Sequence, residues 1–464
     1  MLYEILKFIF HFSVRIFYKN IRINNLALLP ANKPVILACN HPNSFMDAIV
    51  LSVNIKQQLN YLARSDVFNS PIKKRVLGTM NLVPIYRLQE GAEKLHKNEE
   101  TFEVCNLRLA KNETILIFSE GLCVQERRLR KLKKGTARMA FGAEESQNFN
   151  MDLLIVPVGL NYSKKGKFRS NLFINFGEPI KVKEFINQHK DKAKAVNDIT
   201  ACLDKKLKEL IVIIEDKEND MLVEQIEDLF KKDLLIRDRL SSNQMENNLL
   251  ASKNIAATVN NLSQKDPLQL KKLRLKTEDY LTKLSELNLE ADMLSAKSIE
   301  TLSAFKLVGY FFLLLLAFPF HVYGLVNNYI PGRISYLLTK KAVKNEEFFS
   351  SVLIAAGTFL FLIFYLIQAL LVDFVFHNHY ASGFYLLSLP LSGICVLYYW
   401  EYLKFTAGKW KLYSLKKHHS PLLNNLCKTK EEIIQEIEHE QVVYCQETKV
   451  NTVKASREKI PSIQ

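Results

Sequence analysis

The chain has 464 residues, 48% of them hydrophobic, and 63 Lys and Arg against 48 Asp and Glu give a formal net charge of +15. That length holds one substantial domain with accessories, and that charge asks for an acidic partner. Nucleic acid is set aside, because the chain shows no helix-turn-helix signature, zinc spacing or aromatic-laced RNA motif, and the apolar stretches near the C-terminus point to anionic lipid.

Residues 1–25 predict an amphipathic helix lying in a membrane interface. Leu2, Tyr3, Ile5, Leu6, Phe8, Ile9, Phe10, Phe12 and Phe17 form an apolar aromatic surface, and Lys7, His11, Arg15 and Lys19 recur every four residues as a polar stripe. The stripe is expected at headgroup depth. A spanning helix would bury Lys7 and Arg15, and no small-residue cleavage site follows. A helix packed on a protein core is the alternative.

From residue 26 to 215, short apolar strands alternate with helical stretches, which predicts an α/β domain with a buried, mostly parallel sheet and flanking helices. The strand Pro34-Val35-Ile36-Leu37-Ala38 runs into Cys39-Asn40-His41-Pro42-Asn43-Ser44-Phe45-Met46-Asp47. A histidine at a strand end with a carboxylate six positions on reads as a general base and its orienter. A capped helix start explains Asn40, Asn43 and Ser44 equally well. Further on, Met80 to Arg87 ends an apolar stretch in a cation. The strand Glu113 to Phe118 leads into Ser119-Glu120-Gly121, and Leu154 to Leu160 is a strand broken by Pro157.

Together these segments resemble the four ordered blocks of the glycerolipid acyltransferase superfamily, the lysophosphatidic acid and glycerol-3-phosphate acyltransferases. The stretches Leu132 to Ala140, Gly159 to Tyr162, Lys167 to Ser170 and Phe176 to Ile180 look most like its fungal-type glycerol-3-phosphate and dihydroxyacetone-phosphate branch and the bacterial relatives of that branch. The likeness covers residues 20 to 215. Two departures stand out. Five residues separate His41 from Asp47 where the family usually has four, and Ser119 replaces the usual proline of the third block.

The resemblance implies acyl transfer from an activated thioester, so no covalent enzyme intermediate is needed. His41 is then the base and Asp47 its orienter, with Asn40, Arg87, Glu120 and Gly121 binding the acceptor. Arg87 and Glu120 also have bland readings, as a strand-end surface cation and a helix-start acid. The cluster Arg127, Arg128, Arg130, Lys131, Lys133 and Lys134 suits either the donor's phosphates or anionic headgroups, with Arg127, Arg128, Lys133 and Lys134 as the foremost contacts. Seven cysteines without metal or redox spacing predict free thiols, no metal site and no resident cofactor. Acyl-coenzyme A or an acyl carrier protein enters as co-substrate.

Residues 216–300 lose glycine and carry apolar residues three and four apart, predicting a charged helical region, with Asp266-Pro267 starting a helix. Residues 301–403 form the membrane region. A bilayer core takes roughly 20 helical residues. The stretch 349–376 and the stretch 384–400 are expected as a transmembrane hairpin, and 307–330 as a re-entrant segment bent at Pro319. Lysines and arginines flank the hairpin at 331–348 and after Trp400, while 377–383 has none, so both ends and the catalytic domain are expected on the cytoplasmic face. The tail 404–464 is basic, then polar.

The sequence thus predicts a membrane-bound O-acyltransferase of phospholipid synthesis. Its partners would be the bilayer, a fatty-acyl thioester and a phosphorylated glycerol acceptor. Glycerol-3-phosphate is the favoured acceptor and 1-acylglycerol-3-phosphate the runner-up. A non-catalytic lipid-binding membrane scaffold is the reading from a different class.

Overall fold

The computed structural model describes residues 2–87, 91–189, 191–241, 244–295 and 299–457. The chain divides into two units, Met1–Val212 with Ser335–Leu360, and Ile213–Ile334 with Phe361–Gln464.

The first unit is built on an eight-stranded sheet. Its strands are β1 (Asn20–Asn24), β2 (Val35–Cys39), β3 (Leu59–Arg64), β4 (Leu82–Ile85), β5 (Thr114–Phe118), β6 (Leu154–Tyr162), β7 (Asn171–Phe176) and β8 (Ile180–Lys181). They lie in the order β1-β7-β6-β2-β5-β3-β4, with β8 on β6. β6 runs antiparallel to β7 and β8, and the other pairings are parallel. Parallel strands need both faces covered, and β2 shows how the sequence meets that need. Val35, Leu37 and Cys39 enter one apolar cluster, and Ile36 and Ala38 enter the other. The first cluster is covered by α1 (Leu2–Phe17) and α2 (Phe45–Asn54), and the second by α4 (Asn98–Leu109), α5 (Gly135–Ser146) and α7 (Lys192–Leu210). Two short helices, α3 (Pro71–Thr79) and α6 (Val182–Gln188), complete the described helices before residue 213. The strand after residue 19 is a sheet edge, so the N-terminal segment belongs to the catalytic fold and not to a separate device ending at residue 25.

α1 is amphipathic, but its polar stripe faces inward. Lys7 Nζ donates to the carbonyls of Ile55 (2.7 Å) and Lys56 (3.2 Å), His11 Nδ1 lies 3.2 Å from the Val53 carbonyl, and Arg15 donates to Asn54 Oδ1. These groups end α2, where orphan carbonyls and the negative dipole end favour cations. The expectation of cations at headgroup depth is corrected accordingly. The outward face is instead the apolar one, with Leu2, Ile5, Phe8, Phe12 and Ile16 exposed.

In the second unit, α8 (Asp220–Arg237), α9 (Met245–Lys265) and α10 (Pro267–Glu286) pack with a helix from the far end of the chain, Pro421–Arg457. Leu222, Ile226, Phe230, Leu273, Tyr280, Ile433 and Ile437 fill the bundle. Asp266 caps α10 by accepting from Gln269 N–H at 2.9 Å, with Pro267 at the first helical position. Arg237 pairs with Glu431 (2.6 Å) and Glu438 (2.8 Å), and buried Lys430 pairs with Asp233 (2.8 Å). Pro421–Arg457 is therefore one long helix built into the bundle.

Among the described residues, three helices are long and apolar enough to cross a membrane: α11 (Ala304–Ala342), α12 (Phe349–Phe376) and α13 (His379–Lys417), making the Pro421–Arg457 helix α14. α11, which contains the segment expected to re-enter, runs as one continuous helix through Pro319 and Pro331. Proline keeps a helical φ and forfeits one N–H bond, a cost that apolar helices packed on neighbours absorb. Polar groups tie the middle of α11 to its neighbours. Asn328 accepts from Tyr365 and donates to Ser392, and Asn327 accepts from Tyr385. Gly324 faces the Ser392 carbonyl so closely that a Cβ would stand 2.4 Å from it.

Candidate active site

The C-terminal ends of β2 and β5 lie side by side, with Cys39 in register with Phe118. Open parallel sheets bind ligands at that edge. The turn after β2 carries His41 and then starts α2, whose first turn holds Asp47. Ser44, at φ 51 and ψ −136, lies in a region that side chains rarely occupy, and this turn brings the carboxylate back to the imidazole.

His41 Nδ1 lies 2.9 Å from Asp47 Oδ2. Asp47 is fully buried, and it takes two further hydrogen bonds, from Asn43 N–H to Oδ2 (2.8 Å) and from Tyr162 Oη to Oδ1 (2.6 Å). Donors on both oxygens satisfy this buried carboxylate without water. Its Oδ2 faces Nδ1, which makes Nδ1 the donor nitrogen of His41 and leaves the lone pair on Nε2. Among the described residues none hydrogen-bonds Nε2, and the side chain is 18% exposed. Phe118 stacks on the imidazole at 3.8 Å and 12°, fixing the ring plane. Burial first, and Asp47 second, push the Tyr162 phenol well above its ordinary range, so it keeps the proton it donates to Asp47. Tyr18, whose hydroxyl accepts from Asn43 Nδ2 at 3.4 Å, is held up by the same two causes. Cys123, whose Sγ accepts from Ser44 N–H, is pushed up to about 12, chiefly by burial, and is no nucleophile.

The other expected site residues fall into two groups. Arg87 and Gly121 come together at the strand ends, where an Arg87 Nη1 donates to the Gly121 carbonyl at 3.3 Å. Gly121 has φ +69, which a side chain would strain. Asn40 and Glu120 are instead bound up in the scaffold. Asn40 is buried and joins β2 to β6, accepting from Leu160 N–H (2.7 Å) and donating to the Leu160 carbonyl (3.0 Å). Glu120 accepts from His41 N–H at one oxygen (2.9 Å) and from Arg130 N–H at the other (3.0 Å). It clamps the basic loop to the catalytic turn. Its carboxyl is raised above the usual range by burial, against the opposing pull of those two N–H groups.

The basic loop divides in the same way. Arg127 donates to the carbonyls of Tyr162 and Ser163, while Arg128 and Arg130 lie beside Glu126. Lys133 and Lys134 are exposed just before α5. Sequence reading missed Tyr162, Asn43 and Phe118 as parts of the site. The polar end of an otherwise apolar strand was the one available signal for Tyr162.

Residues 20–161 match the Acyltransferase family. Glycerol-3-phosphate O-acyltransferase 1 of Saccharomyces cerevisiae is 34% identical over 126 residues, 26% of this chain and 16% of that protein. Glycerol-3-phosphate O-acyltransferase 2 of the same yeast is 38% identical over 91 residues, 20% of this chain and 12% of that protein. The matched stretches thus span less than a fifth of these curated relatives. Among solved structures, the 1-acyl-sn-glycerophosphate acyltransferase of Thermotoga maritima aligns at 16% identity with a TM-score of 0.32, covering 44% of this chain and 79% of that one.

Proposed function

We propose, from the match of residues 20–161 to the Acyltransferase family and the likeness to the two yeast proteins, that the protein is a membrane-bound O-acyltransferase moving a fatty-acyl group from an acyl thioester to glycerol-3-phosphate. The observation that carries this reading is the His41–Asp47 pair, buried at Asp47 and open at His41 Nε2.

Nε2 takes the proton of the acceptor hydroxyl as that oxygen attacks the thioester carbonyl. Asp47 stabilises the imidazolium that forms, in the manner of a serine triad's carboxylate. Collapse of the tetrahedral intermediate breaks the C–S bond, and the imidazolium returns its proton to the departing thiolate. Ester and free thiol are the products. Arg87, beside Gly121, offers a forked guanidinium to the acceptor's phosphate. Lys133 and Lys134 suit the phosphates of an acyl-coenzyme A or an acidic carrier protein. The names of the two yeast relatives support glycerol-3-phosphate as acceptor.

The site works at a bilayer. α8, α9 and α10 precede the three apolar helices, α14 follows them, and all four form one bundle. The chain therefore leaves and regains the same side, so an even number of α11, α12 and α13 crosses. We read α12 and α13 as the pair that goes over and back, because lysines end α11 and α13 while residues 377–383, around the turn from α12 to α13, carry none. Lys340 and Lys341 end α11, and Lys416 and Lys417 end α13, which supports a cytoplasmic face for both ends of the hairpin. The outward apolar face of α1 adds to this contact. Ser13 and Phe10 of α1 touch Thr358 and Phe359 of α12, so α1 lies beside a bilayer helix.

The test is thiol release from a fatty-acyl-coenzyme A, and from an acyl carrier protein, by detergent-purified protein given each acceptor separately. Release with glycerol-3-phosphate is expected. Release with 1-acylglycerol-3-phosphate alone would move the reading one acylation onward. No release with either acceptor and either donor would favour the non-catalytic scaffold.

A further inference from the structure

α2 starts without a cap of its own. Ser44 stands at its N-cap position, but its side chain makes no capping hydrogen bond. Met46 N–H is shared between the Asn43 carbonyl at 3.1 Å and a side chain from the first turn of α12, a helix apolar enough to cross a bilayer. Ser351 Oγ accepts from Met46 N–H at 2.9 Å, from 305 positions away. Beside it, Ser350 Oγ donates to Asn43 Oδ1 at 2.8 Å, and Ser351 Oγ lies 3.5 Å from the Asn43 carbonyl. Asn43 is the residue whose backbone N–H donates to Asp47 Oδ2, the oxygen that also faces His41. Ser350 is 0% and Ser351 3% exposed, and Asn43 is fully buried.

We propose that Ser351 and Ser350 are positioning residues, through which the first turn of α12 supplies the N-cap of α2 and sets the His41–Asp47 geometry. Without Ser351 the Met46 N–H keeps only the longer bond to the Asn43 carbonyl, and Asn43 loses a neighbour that holds its own place in the turn, so the helix start is held less firmly. Here the movable part is the turn between His41 and Asp47. The membrane helix is therefore part of the catalytic architecture as well as an anchor. Plain adhesion of α12 to the domain is a separate matter. The Thr358–Ser13 bond and the Phe10–Phe359 contact provide it and do not touch the catalytic turn.

This rests on the acyl-transfer reading, so the test uses one arm that depends on turnover and one that does not. In the full-length protein, Ser351→Ala is expected to lower kcat about tenfold with KM for both substrates within about twofold. Ser351→Thr, which keeps the hydroxyl acceptor, should recover most of kcat, and Thr358→Ala should leave it near wild type. Equal kcat in Ser351→Ala and wild type would overturn the proposal. So would an equal fall in Ser351→Ala and Ser351→Thr, since that pattern reports packing. The second arm is hydrogen exchange of the peptide containing residues 43–47. Ser351→Ala should exchange faster there than wild type, with α7 unchanged. If the wild type turns over neither acceptor, the acyl-transfer reading fails, and exchange alone decides whether the cap exists. Unchanged exchange in Ser351→Ala overturns it.

Discussion

Tyr162 and Asp47 are joined by a 2.6 Å hydrogen bond between the buried phenol and the carboxylate oxygen that His41 does not use. The Asp47 carboxylate is thus fixed from β6 as well as from its own turn. Tyr162→Phe removes that donor and keeps the ring. We expect kcat to fall about tenfold with little change in KM, because a hydrogen bond to a buried charge is worth about 1.5–3 kcal/mol. Steady-state kinetics of the variant checks this, and an unchanged kcat would mean that Asp47 is held well enough without β6.

Asp47→Asn should be far more damaging. The amide can donate to His41 Nδ1 and so favours the wrong tautomer, placing the proton on Nε2. A fall in kcat of roughly a thousandfold or more is expected, with the fold preserved. Circular dichroism and kcat on the same preparation separate loss of chemistry from loss of structure.

Glu120 gives a pH-dependent signature. Burial raises its folded-state pKa above the ordinary 4.5 despite the N–H groups of Arg130 and His41. The folded state therefore holds the proton more tightly than the unfolded state does. The resulting contribution to stability is complete below the unfolded value and is lost as pH rises through the raised one. The stability of wild type minus that of Glu120→Gln should fall as pH is raised from below 4.5 toward neutrality. Denaturant unfolding at several pH values reads this difference, and a flat or rising difference would show that the two N–H bonds outweigh burial.

The bundle formed by α14 depends on a buried cation. Lys430 is 5% exposed, pairs with Asp233 and also donates to the Ala291 carbonyl. Asp233→Ala should destabilise the protein by about 2–3 kcal/mol, because it strands a desolvated ammonium. Asp233→Asn should cost less. Unfolding monitored by circular dichroism distinguishes the two.

The topology can be tested at Lys344, between α11 and α12. In intact cells, Lys344→Cys should react with a membrane-impermeant thiol reagent only after permeabilisation. Labelling from outside would mean that α11 crosses and would overturn the reading of α12 and α13 as the hairpin with both ends on the cytoplasmic face.

What the sequence revealed of the site followed the range of the contacts. β2 was legible because five apolar residues in a row must be buried on both faces. His41 and Asp47 were legible because six positions across a turn and a helix start bring them together. Tyr162 lies 115 positions from Asp47 and Ser351 lies 305 from Met46, and no local pattern carries contacts of that reach. α1 shows a different limit. Its period was plain, but its direction was not, because Lys7 and His11 answer the carbonyls at the end of α2. For Asn40 and Glu120 the resemblance implied acceptor binding, and their contacts within the chain were not legible. Their partners turned out to be backbone atoms of Leu160, His41 and Arg130.

The most direct measurement is single-turnover thiol release from a fatty-acyl-coenzyme A with glycerol-3-phosphate, comparing wild type with His41→Ala. The account predicts ester formation that matches thiol release in the wild type and neither product in the variant. Matched release that persists in His41→Ala would contradict the assignment of His41 as the base on which the whole site is read.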